Sequence, residues 1–210
     1  MRRCVIIGGA DIVDHDAVRA YLRPEDFIVC CDSGLKHREG LGVEPDLVIG
    51  DFDSHEDPHL PAETIVLPRE KDDTDTMAAI READARGFED FLLLGVFGGR
   101  LDHTLANVYI LLWLENRGKT ALAADDHSEI ELISSRKKGL IDDRFPYFSL
   151  LNITGIAEDI TIRNAKYTMD HGLIPAEWQF GVSNEPLPGC TAEVTLGKGA
   201  LLLIKDRNRA

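Results

Sequence analysis

The sequence predicts an α/β protein: an N-terminal three-layer domain on a parallel sheet over residues 1–128, then a C-terminal all-β sandwich over residues 129–210. Three observations carry this. Short apolar runs alternate with helical patterns through the first half, in the rhythm of βα units. Those runs are apolar throughout, as befits strands buried on both faces. After about Ser128, short β-type segments separated by Gly, Pro, Asn and Asp take over, with no helix-length periodicity.

The strands expected in the first domain are Cys4–Gly8, Phe27–Cys31, Leu47–Gly50, Thr64–Leu67, Phe91–Leu94 and Thr120–Ala124. Two helices are expected between the later ones. Thr74–Arg86 is rich in Ala, Met, Ile and Glu and stops at Gly87. Asp102–Arg117 places Leu105, Val108 and Leu112 on one face and stops at Gly118. In the second domain the expected strands are Ile130–Ile133, Phe148–Thr154, Ile160–Arg163, Thr191–Leu196 and Ala200–Lys205.

Composition narrows the function. The chain has 210 residues, 44% of them hydrophobic, and a formal charge of −14. That charge opposes nonspecific nucleic-acid binding, which needs a basic face. No apolar run approaches the roughly 18–20 residues of a membrane span, and the N-terminal segment reads as a first strand and not as a signal peptide. The expectation is a cytoplasmic protein with no membrane partner. Cys4, Cys30, Cys31 and Cys190 lack C-x-x-C spacing and read as reduced cysteines, three of them in the core.

The acidic residues fall where ligands bind in parallel α/β sheets, at the carboxyl ends of the strands. One strand ends in Asp32-Ser33-Gly34 and the next in Asp51-Phe52-Asp53-Ser54. The following two lead into Lys71-Asp72-Asp73-Thr74-Asp75 and into "GVFGGRLDH", Gly95 to His103. If Asp51 and Asp53 stay extended they point to one side, with Cα atoms roughly 7 Å apart. Hard oxygen ligands without nearby His or Cys favour Mg²⁺ over Zn²⁺, and Asp75 can add a third oxygen. Such a metal lets an acidic protein hold a polyphosphate. Asp72, Asp73 and Asp75 are equally able to cap a helix, and Gly98-Gly99 can be a tight turn or a phosphate cradle at the entrance of the next helix. His55 and His59 read as surface residues, His103 as a support for Asp102, and Trp113 as packing.

With these segments in hand, the chain resembles the thiamine pyrophosphokinase (thiamine diphosphokinase) family. The resemblance rests on "CDSGLKHREGLGVEPDLVIGDFDS" (31–54), "KDDTDTMAAI" (71–80) and "GVFGGRLDHTLANV" (95–108), with fainter matches in "NAKYTMD" (164–170), "GVSNEP" (181–186) and "VTLGKGALLLI" (194–204). It implies a nucleotide-binding α/β domain followed by a thiamine-binding β-sandwich. The implied reaction is transfer of the diphosphoryl group of ATP to the hydroxyl of thiamine, giving thiamine diphosphate and AMP. It implies Mg²⁺ on Asp51, Asp53 and Asp75, with Asp102, Asp53 and Asp75 as the catalytic set. Asp32, Ser33, Gly34, Lys71, Asp72, Gly98, Gly99 and Arg100 become ATP contacts. Thiamine falls to Asp102, Tyr167, Ser183 and Asn184, at the interface of a homodimer. Asp32-Ser33-Gly34 stands where many members have Asp-Gly-Gly, and Asn164-Ala165-Lys166-Tyr167 replaces the usual Gly-Leu-Lys-aromatic.

Three other readings remain open at this stage. Asp51-Phe52-Asp53-Ser54 after an apolar strand is also the pattern of aspartyl-phosphate hydrolases, whose first Asp is a nucleophile, though these usually carry it on their first strand. A diphosphokinase acting on another alcohol, such as a pterin, is a second. A non-catalytic nucleotide sensor is a third.

Overall fold

The structure, a computed structural model, describes residues 2–52, 61–70 and 72–207. It divides into two compact units, Met1–Asp126 and His127–Ala210.

The first unit contains strands β1 (Cys4–Ile7), β2 (Phe27–Cys31), β3 (Leu47–Gly50), β4 (Glu63–Val66), β5 (Asp90–Leu94) and β6 (Thr120–Ala124). Every pairing among them is parallel, in the order β4-β3-β2-β1-β5-β6. All four residues of β1 and of β3 are buried, as their unbroken apolar runs require, whereas the edge strand β4 is partly exposed. The long helices form where expected. In α3 (Asp75–Ala85) the Thr74 hydroxyl accepts the Met77 N–H at 3.2 Å as the N-cap. Asp73 is turned aside by Arg81 at 2.8 Å, so neither it nor Asp75 is the cap.

Helix α4 (Leu101–Asn116) buries a different face from the one carrying Leu105, Val108 and Leu112. Asn107, Ile110, Leu111 and Leu114 go inward, while Leu101, Leu105 and Tyr109 are exposed. Two helices unforeseen in the sequence are the short α1 (His15–Arg19) and α2 (Arg38–Leu41). Neither is long enough to show a period. Their Val18 and Leu41 nevertheless close a core cluster with Val5, Ile7, Ile28, Cys30, Leu92 and Leu94. Helix α3 packs over β1, β2 and β3 through Ala79, Ile80 and Ala83, which are not in that cluster.

The second unit holds β7 (Ser128–Ser134), β8 (Gly139–Ile141), β9 (Tyr147–Leu151), β10 (Ala157–Arg163), β11 (Met169–Leu173), β12 (Ala192–Thr195) and β13 (Lys198–Asp206), all paired antiparallel. β13 lies between β7 and β9, and β10 lies between β11 and β12. One apolar cluster, including Ile133, Phe145, Phe148, Leu150, Ile160, Leu201 and Leu203, fills this unit. β8 and β11 are additions to the expected set. β11 has no apolar alternation, and its pairing with β10 shifts register twice, near the positive-φ residues Asp159 and His171. No helix among the described residues is long and apolar enough to cross a membrane. Cys4, Cys30 and Cys31 are buried and Cys190 is exposed.

Candidate active site

Strand order reverses between β1 and β5, the point where an open parallel sheet leaves a crevice beyond its carboxyl ends. The two strand ends approach closely: Gly8 N–H donates to the Leu94 carbonyl and Ala10 N–H to the Gly95 carbonyl, both at 2.8 Å. A Cβ on Gly8 would lie 2.6 Å from the Gly95 oxygen, and one on Gly95 would lie 2.6 Å from the Gly8 oxygen. Only glycines allow the strands to stay this near as they leave the sheet.

A cavity of about 510 Å³ opens there. The loop after β1 contributes Gly9, Ala10 and Asp11, and the end of β2 contributes Cys31 and Ser33. Asp51 follows β3, and Thr74, Asp75 and Thr76 begin α3. Gly95, Val96, Gly98, Gly99 and Arg100 follow β5, with His103 and Asn107 from α4. Size alone does not choose this site, because a cavity of about 500 Å³ also lies at the opposite strand ends. There Arg2, Arg19 and Arg23 are interleaved with Asp26, Glu44 and Asp46, so no single charge sign prevails.

Of the residues expected around the nucleotide, the structure brings Ser33, Asp51, Asp75, Gly98, Gly99 and Arg100 to the cavity. Asp32, Gly34 and Asp72 are not in its lining. Gly34 is buried, and a Cβ on it would meet the Ile7 carbonyl oxygen at 2.1 Å. Its smallness lets the 3-10 stretch Asp32–His37 seat against the end of β1. Asp53 and Lys71 lie outside the described residues, as do Ser54, His55 and His59.

Asp102 is exposed at the start of α4 and is also absent from the lining. Its carboxylate takes two bonds from Arg100, at 2.6 and 3.1 Å, and the His103 N–H at 3.0 Å. The Arg100 guanidinium holds the Asp102 carboxyl below the usual carboxylate range. His103 thus meets Asp102 through its backbone. Trp113 carries the Arg117 guanidinium 3.5 Å from its ring centroid, in keeping with a packing role.

The cavity's donor set is mostly hard oxygens: the Asp11, Asp51 and Asp75 carboxylates with the Ser33, Thr74 and Thr76 hydroxyls, beside one imidazole, His103. The only soft atom in the lining is the Cys31 sulfur. Burial, reinforced by the neighbouring Asp75 charge, pushes that thiol up, which disfavours the thiolate. Such a set fits Mg²⁺, which takes one or two protein carboxylates and completes its shell with water and phosphate oxygens. Among the described residues no three His, Cys, Asp or Glu side chains gather closely enough to hold a metal alone.

In the second unit, Tyr167 is 61% exposed while Asn184 is buried. The Asn184 carboxamide accepts the Tyr167 N–H at 3.0 Å and donates to the Tyr167 carbonyl at 2.7 Å. Asn184 therefore frames the backbone of Tyr167, whose ring is exposed. Ser183 has a φ of 60° and is exposed.

Sequence reasoning passed over the Gly9–Asp11 loop, Thr76 and Asn107. The Gly8-Gly9 pair directly after the first strand was the available signal for the loop. A Thr and an Asn inside helical patterns gave none.

Two family descriptions match the chain: "Thiamin pyrophosphokinase, catalytic domain" over residues 18–122, and "Thiamin pyrophosphokinase, vitamin B1 binding domain" over residues 133–201. The chain belongs to the thiamin pyrophosphokinase family. A curated thiamine pyrophosphokinase of Bacillus subtilis is 25% identical over 210 residues, covering 96% of this chain and 97% of the relative. The crystal structure of a Bacillus subtilis thiamine pyrophosphokinase has a TM-score of 0.86 at 22% identity, covering 99% of this chain and 100% of the other. For the thiamin pyrophosphokinase of Geobacillus thermodenitrificans the TM-score is 0.84 at 23% identity, with 99% of each chain covered. The yeast thiamin pyrophosphokinase scores 0.78 at 15% identity, over 98% of this chain and 86% of its own. These likenesses extend the shared fold over nearly the whole chain. As a thiamin pyrophosphokinase the chain is an enzyme whose substrates are ATP and thiamine.

Proposed function

We propose that diphosphoryl transfer from ATP to the hydroxyl of thiamine takes place at the strand-end cavity of the first unit. The observation that carries this reading is the meeting of Asp51 and Asp75 with Gly98, Gly99 and Arg100 in one cavity. Two carboxylates would repel a polyphosphate unless a cation stood between them. Asp51 and Asp75, with Asp53 as the third expected ligand, would hold Mg²⁺. Bound there, the metal offsets the charge of the phosphate chain and of the developing transition state.

Arg100 reaches both the cavity and Asp102, so it joins the phosphate end of the site to the acceptor end. Because Arg100 keeps Asp102 ionised and weakly basic, we assign Asp102 the role of orienting the thiamine hydroxyl by accepting its hydrogen bond. The hydroxyl oxygen attacks the β-phosphorus of ATP, the bond from that phosphorus to the oxygen bridging it to the α-phosphate breaks, AMP departs with that oxygen, and the hydroxyl proton is released to water. Catalysis then rests on positioning and charge, not on a covalent enzyme intermediate. Ser33, Gly99 and Arg100 contact the nucleotide, and Lys71 and Asp72 remain expected ATP contacts. Asp32 and Gly34 support it through packing.

Thiamine recognition falls to Tyr167, whose exposed ring stacks on the pyrimidine, with Ser183 beside it and Asn184 as its frame. The homodimer is part of the proposal. It is supported by the exposed Leu101, Leu105 and Tyr109 on α4 and the exposed Leu173, Trp178 and Phe180 in the second unit. A three-layer α/β unit, a β-sandwich and a cytoplasmic location go with this reading.

The metal claim is tested by Asp75→Asn, which removes a charged ligand and keeps the side-chain shape. Turnover should fall on the order of 100-fold with an unchanged melting temperature. Near-normal turnover would remove Asp75 from the metal site.

A further inference from the structure

The loop that follows β5 is held from behind by two side chains of α4. Thr104 Oγ1 accepts the Gly98 N–H at 3.1 Å, and Asn107 Nδ2 donates to the Val96 carbonyl at 2.6 Å. Three residues apart, they share one helical face. Asn107 is only 6% exposed, so its bond is shielded from competing water.

The loop itself offers little to keep it in place. Gly98 and Gly99 have φ of 97° and 64°, and no atom lies within 4 Å of a Cβ built on either. Two adjacent glycines with nothing packed against them have wide conformational freedom. The cradle suggested by Gly98-Gly99 is altered by the same geometry, because the Gly98 N–H is already committed to Thr104. Gly98, Gly99 and Arg100 all line the cavity, and of these the Gly98 N–H is already taken.

We infer that Thr104 and Asn107 are positioning residues that clamp the Val96–Arg100 loop in the shape that receives the phosphate chain of ATP. The inference rests on the ATP reading of the cavity given above. A clamped loop has already lost the freedom that an unclamped one would lose on binding, so the clamp acts on nucleotide affinity. Thr104 lies outside the cavity lining, and Asn107, which is in it, acts on the loop through the Val96 carbonyl.

The test compares Thr104→Val, which keeps the branched shape and removes the acceptor, with Thr104→Ser, which keeps the hydroxyl. ATP affinity is measured by calorimetry without thiamine, alongside the KM for ATP, kcat and the melting temperature. Thr104→Val should weaken ATP binding and raise its KM about five- to tenfold, the worth of one neutral hydrogen bond and the ordering it replaces. The kcat should change much less and the melting temperature should hold, while Thr104→Ser should behave as the wild type. Should Thr104→Val prove poorly folded, Thr104→Ala at the same half-buried position gives the same comparison. Equal ATP affinity in the Val and wild-type proteins would overturn the clamp. So would a loss that Ser fails to restore. Because affinity is read without thiamine, a wild-type protein that binds ATP but does not turn over thiamine overturns the functional reading and not the clamp. A wild-type protein that does not bind ATP overturns both.

Discussion

Tyr167 shows how a residue's exposure becomes a functional claim only when its fixing is seen. An exposed tyrosine ring is ordinary on a protein surface. This one has its backbone gripped on both sides by the buried Asn184 carboxamide, and the Lys166 ammonium stands 5.6 Å from its ring centroid. A ring held in this way binds a flat heterocycle without first losing backbone freedom. Tyr167→Ala should therefore raise the thiamine KM more than it lowers kcat, read from steady-state kinetics at saturating ATP. An unchanged thiamine KM would remove the stacking role. Asp102 and Arg100 carry a related lesson. Taken alone, Asp102 looks like a general base; paired at 2.6 Å with a guanidinium, it is a carboxylate fixed in place, which supports the orienting role proposed for it.

At the scale of elements, β1 and β5 define the crevice because their exits share a contact that only glycine permits. Gly95→Ala would place its Cβ 2.6 Å from the Gly8 oxygen at a φ of 60°. The expected cost is roughly 3 kcal/mol in urea unfolding, from strain and overpacking together. Gly99→Ala, with a similar φ but nothing within 4 Å, should cost only about 1–2 kcal/mol. Equal costs would mean that the strand exits can separate freely.

In the other unit, β7 and β13 bury an ion network. Lys205 lies 2.9 Å from Glu131 and 3.0 Å from Glu129, and Lys137 lies 2.5 Å from Glu131. Burial alone would raise the Glu131 carboxyl, but Lys205 and Lys137 bring it below its usual value. Burial would lower Lys205, but Glu131 and Glu129 raise it. Glu131, depressed in the folded state, contributes stability that is present above the ordinary carboxylate range and lost as pH falls through its folded value. Lys205, raised, contributes stability that is present below about pH 10.4 and lost as pH rises through its folded value. Urea midpoints against pH should form a plateau that falls on both sides, and Lys205→Met should flatten both limbs. Limbs of undiminished size in that variant would assign them to other groups.

At the scale of the whole molecule, much was legible in the sequence because burial and chirality leave few choices. Apolar runs such as Leu92-Leu93-Leu94 have no alternative but the sheet centre, and in parallel sheets the carboxyl ends collect ligands. That put Asp51, Asp75 and the glycine loop on one rim before any coordinates. The helices α1 and α2 escaped because four or five residues cannot display a 3.6-residue period, and β11 because its bulged pairing breaks the alternation. The buried face of α4 was misplaced because that helix is apolar nearly all round, so its pattern does not say which side turns inward. For Gly34 the sequence does not reveal the close approach to the Ile7 carbonyl, since a glycine needed for backbone approach looks the same as one needed for a phosphate.

The net charge of −14 gives the account its central tension, for an acidic chain must handle an acidic substrate. The resolution we propose is a metal-dependent diphosphoryl transfer with thiamine as acceptor. The most direct measurement is AMP release from Mg-ATP by the purified protein, with and without thiamine, with thiamine diphosphate followed by chromatography. AMP and thiamine diphosphate appearing one for one, and only with both thiamine and Mg²⁺ present, is the predicted result. AMP formation independent of thiamine, or none at all from folded protein that binds ATP, would contradict it and turn the search toward another alcohol, such as a pterin, or toward a sensor.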